Sequence, residues 1–392
     1  MSLQFITGNS GNGKTKYLFN RIVKEAKANP RDNYLVIVPE QFTMQTQRQL
    51  VDLSENKAIM NIDVLSFKRL AYRVFDELGI TNLTVLEETG KNLVLRKLAA
   101  QEADKLGVIG RNLNRIGYIS EVKSLLSELV QYNISPEELG RYIASGRLSD
   151  TLSDKLKDVL VLYEAFEKFM QDKYITAEEI LNVLSNVAEE SAILRNSVIA
   201  FDEFTGFTPI QNQLIKKLFV ISKKIYVTLT IECREDIFKS RGMQELFDMP
   251  KRTVKSLTEM AAFYGIEVEE PIILDKNYRL AENEELSFME QQLFRKRRCS
   301  FKKVPKHIHI DCLRDPKQEL TKIARRINEL VRNENLRYRD IAIVTGDVNI
   351  YAGYVREIFD KYNIPYFIDA TQEILFHPFI EFIRSIPDIA AQ

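Results

Sequence analysis

The sequence predicts an α/β protein with a parallel sheet, an inserted all-helical subdomain and the start of a second α/β unit. Short apolar runs alternate with helical patterns over residues 1–80 and again from about residue 192, which is typical of βαβ units. Between these regions, residues 84–190 have helical periodicity and almost no strand-like run. A glycine-rich segment at the first strand–helix junction adds a candidate phosphate-binding loop.

The N-terminal elements alternate in the order that a parallel sheet requires. The run at 34–38 is continuously apolar and is followed by Pro39, which predicts a strand buried on both faces. Ser66 is a good N-cap for the helical pattern that follows it. Strands are predicted at residues 3–7, 34–38 and 62–65. Helices are predicted at about 14–28, from the capping segment 39–43 to about Asp52, and at 67–78.

The pattern of the later chain resumes the alternation of strands and helices. Strands are predicted at residues 197–201, 225–230, 307–310, 341–344 and 365–368, and helices at 209–218, 318–332, 348–362 and 379–386. A short extended piece is predicted at 267–274, and the chain stops just after its last amphipathic helix, so we expect a fragment of a longer polypeptide. The predicted division is 1–80 with 192–290 as a first domain, 81–191 as a helical insertion, 291–306 as a basic connector and 307–392 as the truncated start of a second domain.

The composition is that of ordinary globular protein. The chain has 392 residues, of which 45% are hydrophobic and 28% charged, enough for two or three domains. Lys and Arg together number 55, as do Asp and Glu, so net charge gives no argument for nucleic-acid binding and only local patches can. The three cysteines show no metal or disulfide spacing, which favours a reducing, cytoplasmic compartment, and no apolar run is long enough for a membrane span.

The first strand runs directly into a phosphate-loop motif. Residues 8–15 read G-x-x-x-x-G-K-T without a mismatch, and a helical pattern follows. The glycines let backbone N–H groups point at phosphate oxygens, Lys14 reaches the β- and γ-phosphates, and Thr15 can ligate Mg²⁺. A chance glycine-rich turn is the alternative, but both flanking elements are where the mechanism needs them. The predicted nucleotide contacts here are Gly8, Ser10, Gly11, Asn12, Gly13, Lys14 and Thr15.

A pair of acids follows the apolar run at 198–201. An aspartate at a strand tip suits the metal side of such a site, and a neighbouring glutamate can polarise an attacking water. Asp202 is therefore the candidate Mg²⁺ residue, together with Thr15, and Glu203 the candidate base. Alone, two acids after an apolar run form a weak signal; the phosphate-loop motif upstream strengthens it.

Several segments in this order resemble one family. They are Val38-Pro39-Glu40-Gln41-Phe42-Thr43 and residues 65–70, 201–211, 338–344, 364–369 and 377–384. Together with the phosphate loop and the helical insertion, they resemble the UvrD/Rep-type superfamily 1 helicases, and most closely the AddB (RexB) family, the B subunits of bacterial helicase–nucleases. The resemblance spans essentially the whole chain.

The resemblance carries its own expectations. It implies a RecA-like first domain with a helical insertion and a second RecA-like domain, binding of ATP and Mg²⁺, and a heterodimer with an AddA-type helicase–nuclease subunit. It implies a DNA-repair role in homologous recombination, acting at duplex ends and near the nucleoid, in which this half holds and scans single-stranded DNA. The nuclease domain with its iron–sulfur cluster is expected in the C-terminal region that this chain lacks.

The sequence also departs from an active superfamily 1 motor. Such motors carry Gly-Asp-x-x-Gln on the strand after the acidic pair, whereas residues 227–233 contain no such pattern. Asn277-Tyr278-Arg279 resembles the triplet whose arginine contacts the γ-phosphate, so Arg279 is a candidate nucleotide contact, with a plain surface arginine as the alternative. Nucleotide binding is therefore better supported than translocation, and whether ATP is hydrolysed stays open.

Two segments resemble the DNA-facing parts of helicases. Hydroxyl and basic groups suit phosphates, and an exposed Phe can stack on a base, although a Phe at a helix start is more often core. The basic run between Arg295 and Lys306 is either a DNA contact or a solvated connector, and His307 with His309 is better explained as strand surface than as a metal site. The predicted DNA contacts are Gln41, Phe42, Thr43, Ser66, Phe67, Lys68 and Arg69.

Three functions remain open at this level. The first is an ATP- and DNA-binding helicase-like region of a B subunit. The second is a non-catalytic DNA-recognition and partner-docking scaffold whose phosphate loop is a relic, which the missing Gly-Asp-x-x-Gln favours. The third is a P-loop kinase, which the helical insertion and the second α/β unit argue against.

Overall fold

The computed structural model describes residues 1–55, 57–81, 84–108, 110, 116–146, 148–170, 174–295, 299–370 and 377–390. Contacts divide the chain into two units, Met1–Ser300 and Phe301–Gln392. No helix of the described residues is both long and apolar enough to cross a membrane.

The strands of the described residues all belong to the first unit. They are β1 (Ser2–Gly8), β2 (Tyr34–Ile37), β3 (Ile62–Leu65), β4 (Val85–Leu86), β5 (Ile175–Thr176), β6 (Val198–Phe201), β7 (Lys224–Thr230), β8 (Glu267–Val268) and β9 (Ile272–Leu274). Seven of them form one sheet in the order β3-β2-β6-β7-β1-β8, with β9 also pairing with β1, and every described pair is parallel. The predicted α/β class with its parallel, RecA-like sheet is confirmed.

The described residues also form fourteen α-helices. They are α1 (Lys14–Ala28), α2 (Thr43–Leu53), α3 (Phe67–Leu78), α4 (Glu88–Gln101), α5 (Ile116–Gln131), α6 (Pro136–Ala144), α7 (Asp150–Met170), α8 (Ile180–Val187), α9 (Pro209–Ile221), α10 (Asp248–Phe263), α11 (Glu284–Gln292), α12 (Pro316–Asn333), α13 (Val348–Lys361) and α14 (Pro378–Ala390).

The central strands are apolar on both faces because helices cover both faces. Leu3 and Phe5 of β1 face one core with α3, α8, α9 and α10, whereas Ile6 faces a second core with α1 and α2. Parallel pairing aligns the strand ends, with Gly8 of β1 opposite Thr230 of β7 and Phe201 of β6 opposite Val227. The loops after β1 and β6 therefore meet at the carboxyl edge of the sheet, where open α/β folds bind ligands.

The helical insertion has a core of its own, formed by α4, α5, α6 and α7. Inside it, the ammonium of Lys91 is buried and pairs with Glu178 at 2.6 Å and Glu88 at 3.0 Å. Helix α8, which lies within the predicted insertion 81–191, packs Ile180 and Leu184 into the core of the sheet.

The second unit differs from the prediction. Helices α12, α13 and α14 form where helical periodicity predicts them, and α12 packs on α13 around Leu320 and Phe359. The strands predicted at 307–310, 341–344 and 365–368 are wrong, because the described part of this unit contains no strand. An apolar run favours an extended chain, but a strand also needs a paired neighbour; here Val344 is 92% and Phe367 89% exposed.

Candidate nucleotide-binding site

The loop between β1 and α1 is shaped by glycines. Gly13 is the N-cap of α1 in the left-handed region, with φ 78°. Gly11 has φ 88°, and a Cβ there would lie 2.8 Å from both the Cβ of Arg279 and the Oδ1 of Asn277. Only glycine fits both the backbone conformation and the close approach at this position.

The ammonium of Lys14 lies inside this loop. Its Nζ donates to the backbone carbonyls of Gly8 and Asn9, each at 3.0 Å. Burial lowers the pKa of Lys14, and the nearby carboxylates of Glu203 and Asp202 oppose that shift. A partly buried cation held at the N-terminus of a helix is well placed for phosphate oxygens.

The acidic pair lies beside the first turn of α1. Asp202 is only 1% exposed; its Oδ1 accepts from the hydroxyl of Thr228, and its Oδ2 has no hydrogen-bond partner among the described residues. Burial raises the pKa of Asp202, while the bond from Thr228 opposes the rise. The hydroxyl of Thr15 donates to Oε1 of Glu203 at 3.2 Å, and Glu203 has φ 63°, a left-handed conformation that is uncommon for a residue other than glycine.

These groups fit Mg²⁺ bound to a nucleotide. A buried carboxylate oxygen without a partner is costly unless a ligand satisfies it, and Mg²⁺ prefers carboxylate, hydroxyl, water and phosphate oxygens. Asp202 and Thr15 supply the first two, and both belong to the segments that meet at the carboxyl edge of the sheet. The residues predicted for the metal and for the phosphates are therefore brought together.

A loop that is distant in sequence, at residues 277–279, packs against the phosphate loop. The amide of Asn277 donates to the carbonyl of Ser10 at 3.0 Å, and the N–H of Tyr278 donates to the carbonyl of Gly11 at 3.0 Å. The guanidinium of Arg279 reaches the hydroxyl of Ser10 at 3.4 Å. Arg279 thus lies beside the predicted site, and its neighbours in the triplet anchor the loop there.

Sequence reasoning considered only the arginine of that triplet and missed its tyrosine. The Tyr278 ring is 66% exposed and lies 3.5 Å from the place of a Cβ on Gly13, with the ammonium of Lys276 4.9 Å from the ring centre. An exposed aromatic face beside the phosphate loop suits a nucleotide base. By contrast, Asn12 is buried and donates to the carbonyl of Leu274 at 2.6 Å, so its side chain fastens the loop to β9.

The predicted DNA contacts fall into exposed and buried sets. Gln41, Lys68 and Arg69 are exposed, whereas Thr43 and Ser66 are buried. Ser66 serves as the N-cap of α3, accepting from the N–H of Arg69 at 3.3 Å, as its sequence context predicts. Its hydroxyl also donates to the carboxylate of Glu40, which accepts from Nε of Arg69 at 3.0 Å as well. Glu40 therefore joins the two candidate DNA segments.

Both phenylalanines pack against core residues. Phe67 is 8% exposed and lies in an aromatic cluster, with ring centres 5.8 Å from Phe201 and 5.6 Å from Phe204. Phe42 is partly buried against the core that contains α1 and α2. Phe67 therefore packs as a core aromatic, and its contact with DNA stays a prediction.

The basic connector is not uniformly exposed. Arg295 is 12% exposed, donates from Nε to Glu232 at 2.8 Å and lies over the ring of Phe247. Lys302 is exposed. Residues 296–298 of the predicted run lie outside the described residues.

Comparison with known proteins points to one family. A family model described as "ADDB, N-terminal" matches residues 5–290. The chain is 38% identical to the B subunit of the ATP-dependent helicase/deoxyribonuclease of Lachnoclostridium phytofermentans, covering 99% of this chain and 34% of that protein. It is 33% identical to the proteins of the same name from Clostridium tetani, covering 98% and 34%, and from Listeria monocytogenes, covering 99% and 33%.

The chain thus spans about a third of the length of the relatives it matches. The match extends over the phosphate loop, the acidic pair and the triplet at 277–279 that meet at the carboxyl edge of the sheet. With the family model covering most of the chain and several relatives matching nearly all of it, the chain belongs to the AddB family.

Proposed function

We propose that the first unit binds ATP with Mg²⁺ at the carboxyl edge of its sheet. The observation that carries the proposal is the buried Oδ2 of Asp202, which lacks a partner among the described residues and lies near an intact phosphate loop. Asp202 and Thr15 would hold the metal, which would neutralise phosphate charge. Lys14, Arg279 and the backbone N–H groups of the loop would hold the phosphates, and the ring of Tyr278 would stack on the base.

ATP binding is better supported than rapid ATP hydrolysis. Glu203 would be the base that orients a water, but its carboxylate accepts a hydrogen bond from Thr15. The strand that carries Gly-Asp-x-x-Gln in motors here provides Thr228, which donates to Asp202, and the segment after it provides Glu232, which pairs with Arg295. Thr228 and Glu232 are thus engaged with other protein side chains, and this favours a nucleotide site without motor function as the second candidate.

The wider role is proposed from the family. The relatives are named as the B subunit of an ATP-dependent helicase/deoxyribonuclease. We therefore propose that this chain has a partner subunit of the AddA type and acts on DNA ends. We also propose a role in recombination, in the cytoplasm and near the nucleoid. The iron–sulfur cluster is proposed for the part of the relatives that this chain does not span. The proposed domains remain 1–80 with 192–290, 81–191, the connector 291–306, and 307–392.

We further propose that single-stranded DNA lies along the exposed residues Gln41, Lys68 and Arg69 at the starts of α2 and α3. Amide and basic side chains suit phosphate oxygens. Since Glu40 pairs with Arg69 at 3.0 Å, Lys68 is the residue whose cation is more available. The buried hydroxyls of Thr43 and Ser66 would support these contacts indirectly.

The nucleotide proposal is tested by titrating a fluorescent ATP analogue into the chain with Mg²⁺. We expect saturable binding that falls at least about 100-fold in Lys14→Ala, because the ammonium is the main cation facing the phosphates. Lys16→Ala is the matched control, since Lys16 is exposed on the same helix turn, and it should bind like the wild type. No binding by the folded wild-type chain would establish the relic loop instead.

The DNA proposal is tested by the salt dependence of binding to single-stranded DNA. Replacing Lys68 and Arg69 by Ala should weaken binding and lower the slope of log K against log salt by about 0.7 for each phosphate that is no longer neutralised. Lys24→Ala, an exposed lysine near the other end of α1, serves as the control. A slope unchanged by the double substitution would show that this surface does not bind DNA.

A further inference from the structure

The side chain of Asn9 makes two long-range contacts from within the phosphate loop. It is buried; its Oδ1 accepts from the N–H of Cys233 at 3.2 Å, and its Nδ2 donates to Oε1 of Glu290 at 2.8 Å. These partners are 224 and 281 residues away along the chain. The amide therefore joins the loop to the segment after β7 and to α11.

The carboxylate of Glu290 is itself supported by charge. Arg295 lies between two acids, with Nη2 3.9 Å from Oε1 of Glu290 and Nε 2.8 Å from Oε2 of Glu232. All three side chains are mostly buried, so the attraction is screened less than on an open surface. The ring of Phe247 under the guanidinium, 5.0 Å from its central carbon, restricts it further.

The main chain of Asn9 contacts Lys14, whose ammonium we propose to bind the phosphates. The carbonyl of Asn9 accepts from Nζ of Lys14 at 3.0 Å. Fixing the side chain of Asn9 on both sides therefore fixes the carbonyl that orients the ammonium. A loop that is already shaped before its ligand arrives loses less entropy on binding.

We propose that Asn9 is a positioning residue for Lys14, and that Glu290 and Arg295 support it, so that this network sets the affinity of the phosphate loop. The inference rests on the proposed function, because it needs the loop to bind nucleotide. These residues would not contact the phosphates themselves. They would act by holding the phosphate loop in the shape that binds phosphate. Glu232 takes part as the outer partner of Arg295.

The hydrogen bond and the charge can be separated at position 290. Gln in Glu290→Gln still accepts from the Asn9 amide through its carbonyl oxygen, whereas Ala in Glu290→Ala cannot. We expect Glu290→Ala to raise the Kd of the fluorescent ATP analogue with Mg²⁺ about tenfold and Glu290→Gln to stay within about twofold of the wild type. Gln291→Ala, an exposed neighbour on α11, is the control.

The outer part of the network is tested in the same assay. Arg295→Ala should raise the Kd about threefold to fivefold, and Arg295→Lys should recover most of that loss because it restores a cation between the two acids. Melting temperatures of all variants are measured alongside, so that loss of folding is recognised separately from loss of affinity.

The outcomes are distinguishable. A Kd that rises in Glu290→Ala and recovers in Glu290→Gln supports the positioning role. Wild-type binding with an unchanged Kd in Glu290→Ala and Arg295→Ala, whatever their melting temperatures, makes the network structural only and overturns the inference while leaving the proposed function intact. If the wild type binds no nucleotide, both fail together.

Discussion

The two ends of the sheet in the first unit differ in how their buried polar and charged groups are partnered. At the amino end, the buried ring of Tyr226 lies within 5.0 Å of both the guanidinium of Arg21 and the ammonium of Lys224. Its hydroxyl donates to Glu25 at 2.8 Å, and Glu25 also accepts from Arg21 at 2.9 Å. Each of these groups has a partner, as folding stability requires. The Oε1 of Gln4, opposite Tyr226 on β1, is by contrast buried without a partner among the described residues.

At the carboxyl end, the polar groups are less completely satisfied. The Oδ2 of Asp202 and the hydroxyl of Thr7 are buried without a partner among the described residues, Glu203 has a left-handed backbone, and Lys14 donates to loop carbonyls. Strain and unsatisfied groups cluster where a ligand is to be bound. Because a buried carboxylate oxygen without a partner costs more than a buried amide oxygen without one, we assign binding to the carboxyl end.

The largest expected effect is on stability at the amino end. Tyr226→Ala removes a fully buried ring and should lower the free energy of unfolding by about 3–5 kcal/mol, while Tyr226→Phe removes only the hydroxyl and should cost about 1–2 kcal/mol. Denaturant unfolding measures both. The Kd of the ATP analogue should stay unchanged in Tyr226→Phe; a marked rise would mean that the two ends are not independent.

At the carboxyl end, we expect a substitution to raise the free energy of unfolding rather than lower it. Asp202→Asn removes a buried charge while its carbonyl can still accept from Thr228, so the free energy of unfolding should rise by about 1–2 kcal/mol at neutral pH. The same substitution should weaken Mg²⁺-dependent nucleotide binding. A variant less stable than the wild type would show that the carboxylate is structural.

The stability gain should depend on pH. The pKa of Asp202 is raised in the folded state by burial, so the folded chain holds this proton more tightly than the unfolded chain. The proton on Asp202 therefore stabilises the folded chain relative to the unfolded chain at low pH. This contribution to the free energy of unfolding is lost as the pH rises above 3.8, the ordinary pKa of an aspartate, and through the higher pKa of the folded state. The stability difference between Asp202→Asn and the wild type should accordingly grow between about pH 4 and neutrality, and a constant difference would contradict it.

The smallest effect concerns the backbone of Glu203. Both Glu203→Gly and Glu203→Ala remove the carboxylate, but only glycine is relaxed at φ 63°. The glycine variant should therefore have the higher free energy of unfolding, by about 1 kcal/mol relative to the alanine variant, as measured by denaturant unfolding. Equal stabilities would show that backbone strain does not distinguish the two ends.

Features with a local signature could be predicted from the sequence. The phosphate loop is defined by contiguous residues, and the acidic pair stands directly after the apolar run of β6, so parallel pairing alone brings Asp202 towards Thr15. The Ser66 cap and the bounds of α3 follow from equally local rules.

Features that depend on distant partners could not be predicted. The hydrogen bond of Asn9 with Glu290 joins residues 281 positions apart, and nothing in either residue's neighbourhood indicates it. The burial of Phe67 depends on Phe201 and Phe204, which come from another part of the chain. The apolar run at 341–344 has strand composition, but composition cannot supply the neighbouring strand that a ladder needs.

The most direct test is the shift in melting temperature caused by ATP with and without Mg²⁺, measured for the wild type, Asp202→Asn and Lys14→Ala. A ligand that binds only the folded chain raises its melting temperature. We expect a rise for the wild type that is larger with Mg²⁺ than with a chelator, no Mg²⁺-dependent part in Asp202→Asn, and no rise in Lys14→Ala. A wild-type melting temperature that ATP and Mg²⁺ leave unchanged would contradict the assignment of the carboxyl edge as a nucleotide site.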